Sequence, residues 1–181
     1  MSPLTSVDDF GITWGKWDNA LAENWLVVAQ IEDDLVRLST GDYFANVNPT
    51  EVAKLQGSHH FATGIASAFI GSGNAGLISD VNASMDVDFA NGVISNASLS
   101  VSVADQLWSI GFDGLVNNGI VGLSANNGSL VDSSGLVSQS INADLGGVFS
   151  GANGEAFVGG FDLLDQVNPI NTVEGIFTIE R

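Results

Sequence analysis

The chain has 181 residues, with 21 Asp plus Glu against four Lys plus Arg, so its formal net charge is −17. A surface that acidic repels phosphate backbones and anionic headgroups, which excludes nucleic acid and acidic membranes as partners. The absence of cysteine removes disulfides, thiolate metal sites and cysteine nucleophiles, while 45% hydrophobic composition is ample for the core of one domain.

Residues 1–56 read as a segment of their own kind. Trp14, Trp17 and Trp25 lie there with most of the acidic clusters. The run Trp25–Ile31 reads as a buried strand. Pro49–Leu55 reads as a helix of one or two turns, with Asn48 as N-cap and Pro49 in the first position, where its missing N–H costs nothing. This segment is expected to pack on the domain formed by residues 57–181, or to plug it.

From residue 57 onward, charge thins out and apolar residues alternate with Ser, Asn and Gly, the period-two signal of half-buried strands. Ser58–Ile70 and Leu77–Val81 are read as strands around the glycine-rich Gly71–Gly76. Met85–Phe89 and Leu99–Val103 place their apolar residues on odd positions, and Asn91-Gly92 between them is the pair that tight hairpins favour. Leu107–Phe112 follows the turn Ala104-Asp105-Gln106. Asn117-Asn118-Gly119, Asn126-Asn127-Gly128 and Asp132-Ser133-Ser134-Gly135 are read as further turns, followed by strands within Leu136–Ser150, Glu155–Leu164 and Thr172–Glu180. The expected fold is all-β: an antiparallel up-and-down barrel of about eight strands, in which the last strand pairs with the first and so removes the exposed edges. Eight phenylalanines, about one per strand, would fill it.

Three local patterns carry a family likeness. Ile12-Thr13-Trp14-Gly15-Lys16-Trp17 comes first, then Phe61-Ala62-Thr63-Gly64. Later, Gly147-Val148-Phe149-Ser150-Gly151 leads to Glu155–Phe161 and to Val173-Glu174-Gly175-Ile176-Phe177. Their order and spacing resemble the C-terminal barrel of bacterial FecR-domain surface proteins. The late glycine–phenylalanine pattern is similar to the eight-stranded, lipocalin-like barrel of transferrin-binding protein B and related surface lipoproteins, although here Gly159-Gly160 runs straight into Phe161. The resemblance implies a non-enzymatic module of a larger exported protein, displayed outside the cell or on the outer membrane. Such a module would bind a protein partner or a small apolar ligand, or serve as a structural spacer. The stretch Met1–Thr5 has neither the basic nor the apolar region of a secretory signal.

Few residues could carry chemistry. His59-His60 is the entire histidine content, and neighbours on a strand face opposite ways, so the pair cannot chelate one ion. His60 is the candidate ligand-binding histidine. It would serve as an axial heme ligand if it faced an apolar lumen, a role implied by heme-binding relatives of such barrels, and no cofactor is otherwise expected. A Ser-His-Asp triad lacks a nucleophile elbow. Asp86 and Asp88 share a strand face turned away from Met85, Val87 and Phe89, which reads as solvent. Asp33, Asp34 and Asp132 are the candidate calcium ligands, being hard oxygens in turns. Trp14 and Trp17 could set two rings at a mouth of the barrel or pack on its wall.

Overall fold

The computed structural model describes residues 6–7, 12–17, 26–32, 35–117 and 119–181. Trp25, Asp33, Asp34 and Asn118 lie outside them. Five strands, β1 (Ser6–Val7), β2 (Thr13–Lys16), β3 (Val27–Glu32), β4 (Leu35–Ser39) and β5 (Tyr43–Val47), form an antiparallel sheet in the order β1-β2-β5-β4-β3. Ten more follow: β6 (Ser58–Ala62), β7 (Phe69–Gly73), β8 (Gly76–Asp88), β9 (Val93–Val103), β10 (Gln106–Asn117), β11 (Ile120–Asp132), β12 (Gly135–Ser138), β13 (Ile141–Ser150), β14 (Ala156–Asp165) and β15 (Thr172–Glu180).

These ten close into a barrel of eight staves. Each of β8, β9, β10, β11, β14 and β15 is one stave, β12 with β13 makes a seventh, and β6 with β7 the eighth. Closure comes from the last strand lying against the first stave, with Phe177 opposite Phe69 and Glu180 opposite Ala62. The hairpins form where the sequence provides for them, Gly92 and Ala104 both adopting positive φ.

The lumen is filled by side chains. Trp108, Phe61, Phe149, Phe157, Phe161 and Met85 are among the largest wholly buried residues. Phe149 stands 5.3 Å from both Phe61 and Phe157, and Phe177 stands 6.3 Å from Phe157. Each buried phenyl ring contributes about 1.5–3 kcal/mol. Gly147 and Gly159 face one another in register and point inward. A β-carbon on Gly147 would fall 2.4 Å from the Phe157 ring, so the missing side chain is the space the ring occupies.

The five-stranded sheet packs on the outside of the barrel. Trp14, Leu38, Tyr43, Ala45 and Val47 meet Val148, Val158 and Ile176 in a second core. Gly160, paired with Gly146 on that outer wall, gives Leu26 room to approach; a β-carbon there would lie 2.5 Å from its methyl group. The connecting segment crosses one end of the barrel, where Leu55 joins the barrel core and Val52 lies against Gly119.

Four readings of the sequence are corrected. The expected helix is a single 3-10 turn, Val52–Lys54, preceded by Glu51 with no side-chain cap. Pro49 instead bridges Ser150, and the Thr50 N–H donates to the Phe149 carbonyl, so strand pairing holds the residues a helix would need. Leu77–Val81 and Met85–Phe89 mostly fall within one 13-residue strand, β8; the register shift at Ile78/Asp80 moves its buried positions from Ile78 to the odd set Val81, Ala83, Met85 and Val87, whereas at Ser84/Asp86 the extra residue is on β9. Asn126-Asn127-Gly128 is no turn but a bulge inside β11, with Gly111 opposite Asn127 and Phe112 opposite Ala125. There the Asn127 side-chain oxygen accepts from the Gly111 N–H and Asn126 donates to Asp113, replacing ladder bonds with side-chain ones. Finally, β3 is the sheet's edge, with Ala29, Gln30 and Ile31 exposed, and not a buried strand.

Candidate functional site

The strongest concentration of polar groups lies on the outer wall of β13–β15, beside the edge of the added sheet. Phe161 and Leu163 point into the lumen, so Asp162 between them points out. Register then sets Asp144 directly opposite Asp162, Asp162 opposite Glu174, and Glu174 opposite Ser72. Three carboxylates thus form one row across strands about 4.8 Å apart, a placement that like charges disfavour. Asp42, from the β4–β5 turn, donates its N–H to Glu174 Oε2 at 3.1 Å, and its carboxylate pairs with Lys16 Nζ at 3.2 Å. Tyr43 donates its hydroxyl to Ser72 Oγ at 2.9 Å, tying sheet to barrel beside them.

Asp42, Ser72, Asp144, Asp162 and Glu174 line a cleft of about 580 Å³. Burial, with Glu174 and Asp144 adding repulsion, pushes the Asp162 carboxyl up to about 7. Lys16 is held above its ordinary range by its hydrogen bond to Asp42, with Tyr43 and Glu174 helping. The cleft therefore presents excess negative charge, with one carboxyl that retains a proton near neutrality. It suits a cationic group, and no histidine or cysteine stands among its lining residues. Among the described residues no group of three or more His, Cys, Asp or Glu is spaced to hold a metal ion.

The residues singled out from sequence do not converge on this cleft. His60 sits on the outer wall with its side chain 63% exposed and donates from Nδ1 to Asp86 Oδ1 at 2.7 Å; strand alternation turns the other histidine inward, so the lumen-facing condition for a heme ligand at His60 is not met. His59 lies against Phe89, its Nε2 2.8 Å from both the Gln56 carbonyl and the Arg181 guanidinium, and can serve only one of them at a time. Asp86 is held below the usual carboxylate range by Asn96 and His60, and Asp88 by Asn91 and the Ala90 N–H; both are on the outer wall, as read from sequence. Trp14 is buried in the sheet–barrel core, whereas Trp17 lies tilted against Phe44 at 4.5 Å with the Arg37 guanidinium over it, so the two rings line no common mouth. Asp132 caps its own turn by accepting from the Ser134 N–H at 2.7 Å. Asp33 and Asp34 lie outside the described residues.

Asp42, Asp144, Asp162 and Glu174 escaped the reading of the sequence. The signal was present: counting register outward from the Gly151–Gly154 turn pairs Asp144 with Asp162.

No protein-family model matches the chain, and no curated protein does so by sequence. Among solved structures, the chain is similar to a mutant of the vaccine antigen transferrin binding protein B from Haemophilus parasuis Hp5, at 14% identity and a TM-score of 0.49, covering 99% of this chain and 42% of that one. It is also similar to isotype 1 transferrin binding protein B from serogroup B Neisseria meningitidis, at 14% identity and a TM-score of 0.48, covering 100% and 36%. Intact Ap-TbpB, with its N and C lobes, gives 13% identity and a TM-score of 0.47, covering 99% and 38%. The chain thus spans well under half the length of these three chains.

Proposed function

We propose that this chain is a non-enzymatic binding module that engages a protein partner through its outer surface. The observation carrying this reading is the contrast between a lumen packed with phenylalanine and a wall that leaves large apolar side chains in water, Leu136 and Ile170 among them at 60% and 73% exposure. A filled barrel has no interior for a ligand, and apolar groups exposed together mark contact surfaces. For a small apolar ligand, the other occupant the sequence suggested, the outer surface offers hollows such as the one of about 290 Å³ beside Val28, Val36, Val52 and Ile120. Export and cell-surface display, within a larger FecR-type protein, belong to the same reading and are supported by the glycine–phenylalanine motifs described above.

A peptide-display selection against the immobilised chain tests the reading. A binding module enriches a consensus sequence that binds the chain in solution. Enrichment no greater than on an unrelated acidic protein would show a spacer instead.

A further inference from the structure

One end of the barrel gathers exposed apolar side chains from every turn that reaches it. Leu107 stands opposite Val131, and Val131 opposite Leu136, in one row across β10, β11 and β12. Trp108 and Leu130, at the alternate positions, are wholly buried in the lumen, so the row faces outward. Val137 continues along β12. The next turn is bound to it: the Gln166 N–H donates to the Ser140 carbonyl at 2.8 Å and Ser140 Oγ donates to Gln166 Oε1 at 3.0 Å. That turn exposes Val167 and Ile170, and Asn171 beyond it meets Asn74, three residues before exposed Leu77 on β8. These turns all lie at this one end, with Leu77 on β8 and Leu136 on β12 at opposite sides of it and Asp80 and Ser102 between Leu77 and Leu107.

The rim is also held in shape. Burial pushes the Asp165 carboxyl up, but hydrogen bonds from Ser138, the Val167 N–H and Asn171 outweigh it and leave the group below its ordinary range. Bonded on both oxygens, it fixes the turn that presents Val167 and Ile170, so little ordering cost remains for binding.

Charge around the rim has one sign. Asp80 lies on β8, Asp105 in the β9–β10 turn and Asp132 at the end of β11, and the cleft with Asp144, Asp162 and Glu174 shares Asn74 and Pro169 with this end. All four cations of the chain are elsewhere or engaged. Lys54 is in the 3-10 turn at the far end, Arg181 bonds His59 there, Arg37 covers Trp17 on the sheet, and Lys16 is paired with Asp42.

We propose that the end bearing Leu77, Leu107, Leu136, Val137, Val167 and Ile170 is the docking face for a protein surface with an apolar centre bordered by Lys and Arg. The inference rests on the reading of the chain as a protein-binding module and names its face and its partner's chemistry. A second copy of this chain would set Asp80, Asp105 and Asp132 against like charges, and an anionic membrane would be repelled in the same way.

The probe is a synthetic amphipathic helical peptide of leucine and lysine, with its leucine–glutamate counterpart, titrated into the chain by fluorescence anisotropy at low and high salt. The lysine peptide binds and the glutamate peptide does not. The double variant Leu107→Ser/Leu136→Ser weakens binding at least about tenfold and stays folded with a modestly lowered melting temperature, because Leu136 is mostly exposed and Leu107 is 41% exposed. Asp105→Asn/Asp132→Asn weakens it and flattens the salt dependence. Leu115→Ser, exposed at the opposite end, changes nothing. Equal loss in Leu115→Ser, unaltered binding in the rim variants, or equal binding of the glutamate peptide overturns the proposal. A dimer in sedimentation velocity that the rim variants abolish overturns it in favour of a second copy. If peptides enriched by display bind the rim variants unchanged, the docking face fails while the module reading stands; if display enriches nothing, the module reading itself fails.

Discussion

Replacing Asp162 with asparagine should stabilise the protein, and only above mildly acidic pH. Folding holds this carboxyl at about 7 against an ordinary 3.8, because it is half-buried between Asp144 and Glu174, with Asp42 and Lys16 at the cleft's edge. Between those values the unfolded chain has released the proton and the folded chain has kept it. The folded state therefore binds more protons, and stability falls as pH rises through this window, levelling off above it. A difference of about 3 pH units is worth about 4 kcal/mol, halved to about 2 kcal/mol because water still reaches the group. Asp162→Asn mimics the protonated acid and removes that cost, which for a chain of this size is an upward shift of roughly 4–8 °C in Tm near pH 8. At pH 4 the two proteins should melt together. Asp86, Asp88, Glu155 and Asp165, all held low, change stability with pH in the opposite sense, but they do so in both proteins and cancel in the difference. Circular-dichroism melts of both at pH 4 to 8.5 give the comparison. A gain that is absent at pH 8, or that persists unchanged at pH 4, refutes the reasoning.

Other outcomes follow from the packing and from the histidines. Gly147→Ala puts a β-carbon 2.2 Å from the Val158 carbonyl and 2.4 Å from the Phe157 ring, so it should cost about 1–3 kcal/mol in urea unfolding. Gly122→Ala, with nothing within 4 Å, should leave the midpoint nearly unmoved. Hemin titrated into the protein should give no Soret shift that His60→Ala abolishes, since His60 points into solvent and donates to Asp86; a shift lost in that variant would reinstate a heme site.

The alternation of apolar and small polar residues, with Asn91-Gly92 and Ala104-Asp105 at the bends, was enough to read an antiparallel barrel, because period-two patterning and turn chemistry are local. Local rules failed where a side chain took over a backbone role, as at the Asn126–Asn127 bulge, or where a distant strand claimed the residues, as Ser150 did with Pro49. His60 was singled out as one of only two titratable imidazoles, yet alternation on β6 turned it to water.

What sequence by itself determined was the class: an acidic all-β chain whose glycines and phenylalanines suit a filled cylinder. Only tertiary structure decided which acids meet. Asp42, Asp144, Asp162 and Glu174 come from four separate stretches of chain, and their encounter depends on strand register and on a sheet docked against the wall. The same holds for the apolar side chains at one end, which are scattered from Leu77 to Ile170 and share that end only because the up-and-down topology brings alternate turns there. Periodicity along a strand fixes the face a side chain takes, whereas the partner across the gap is set by loop lengths and closure, which no local pattern encodes.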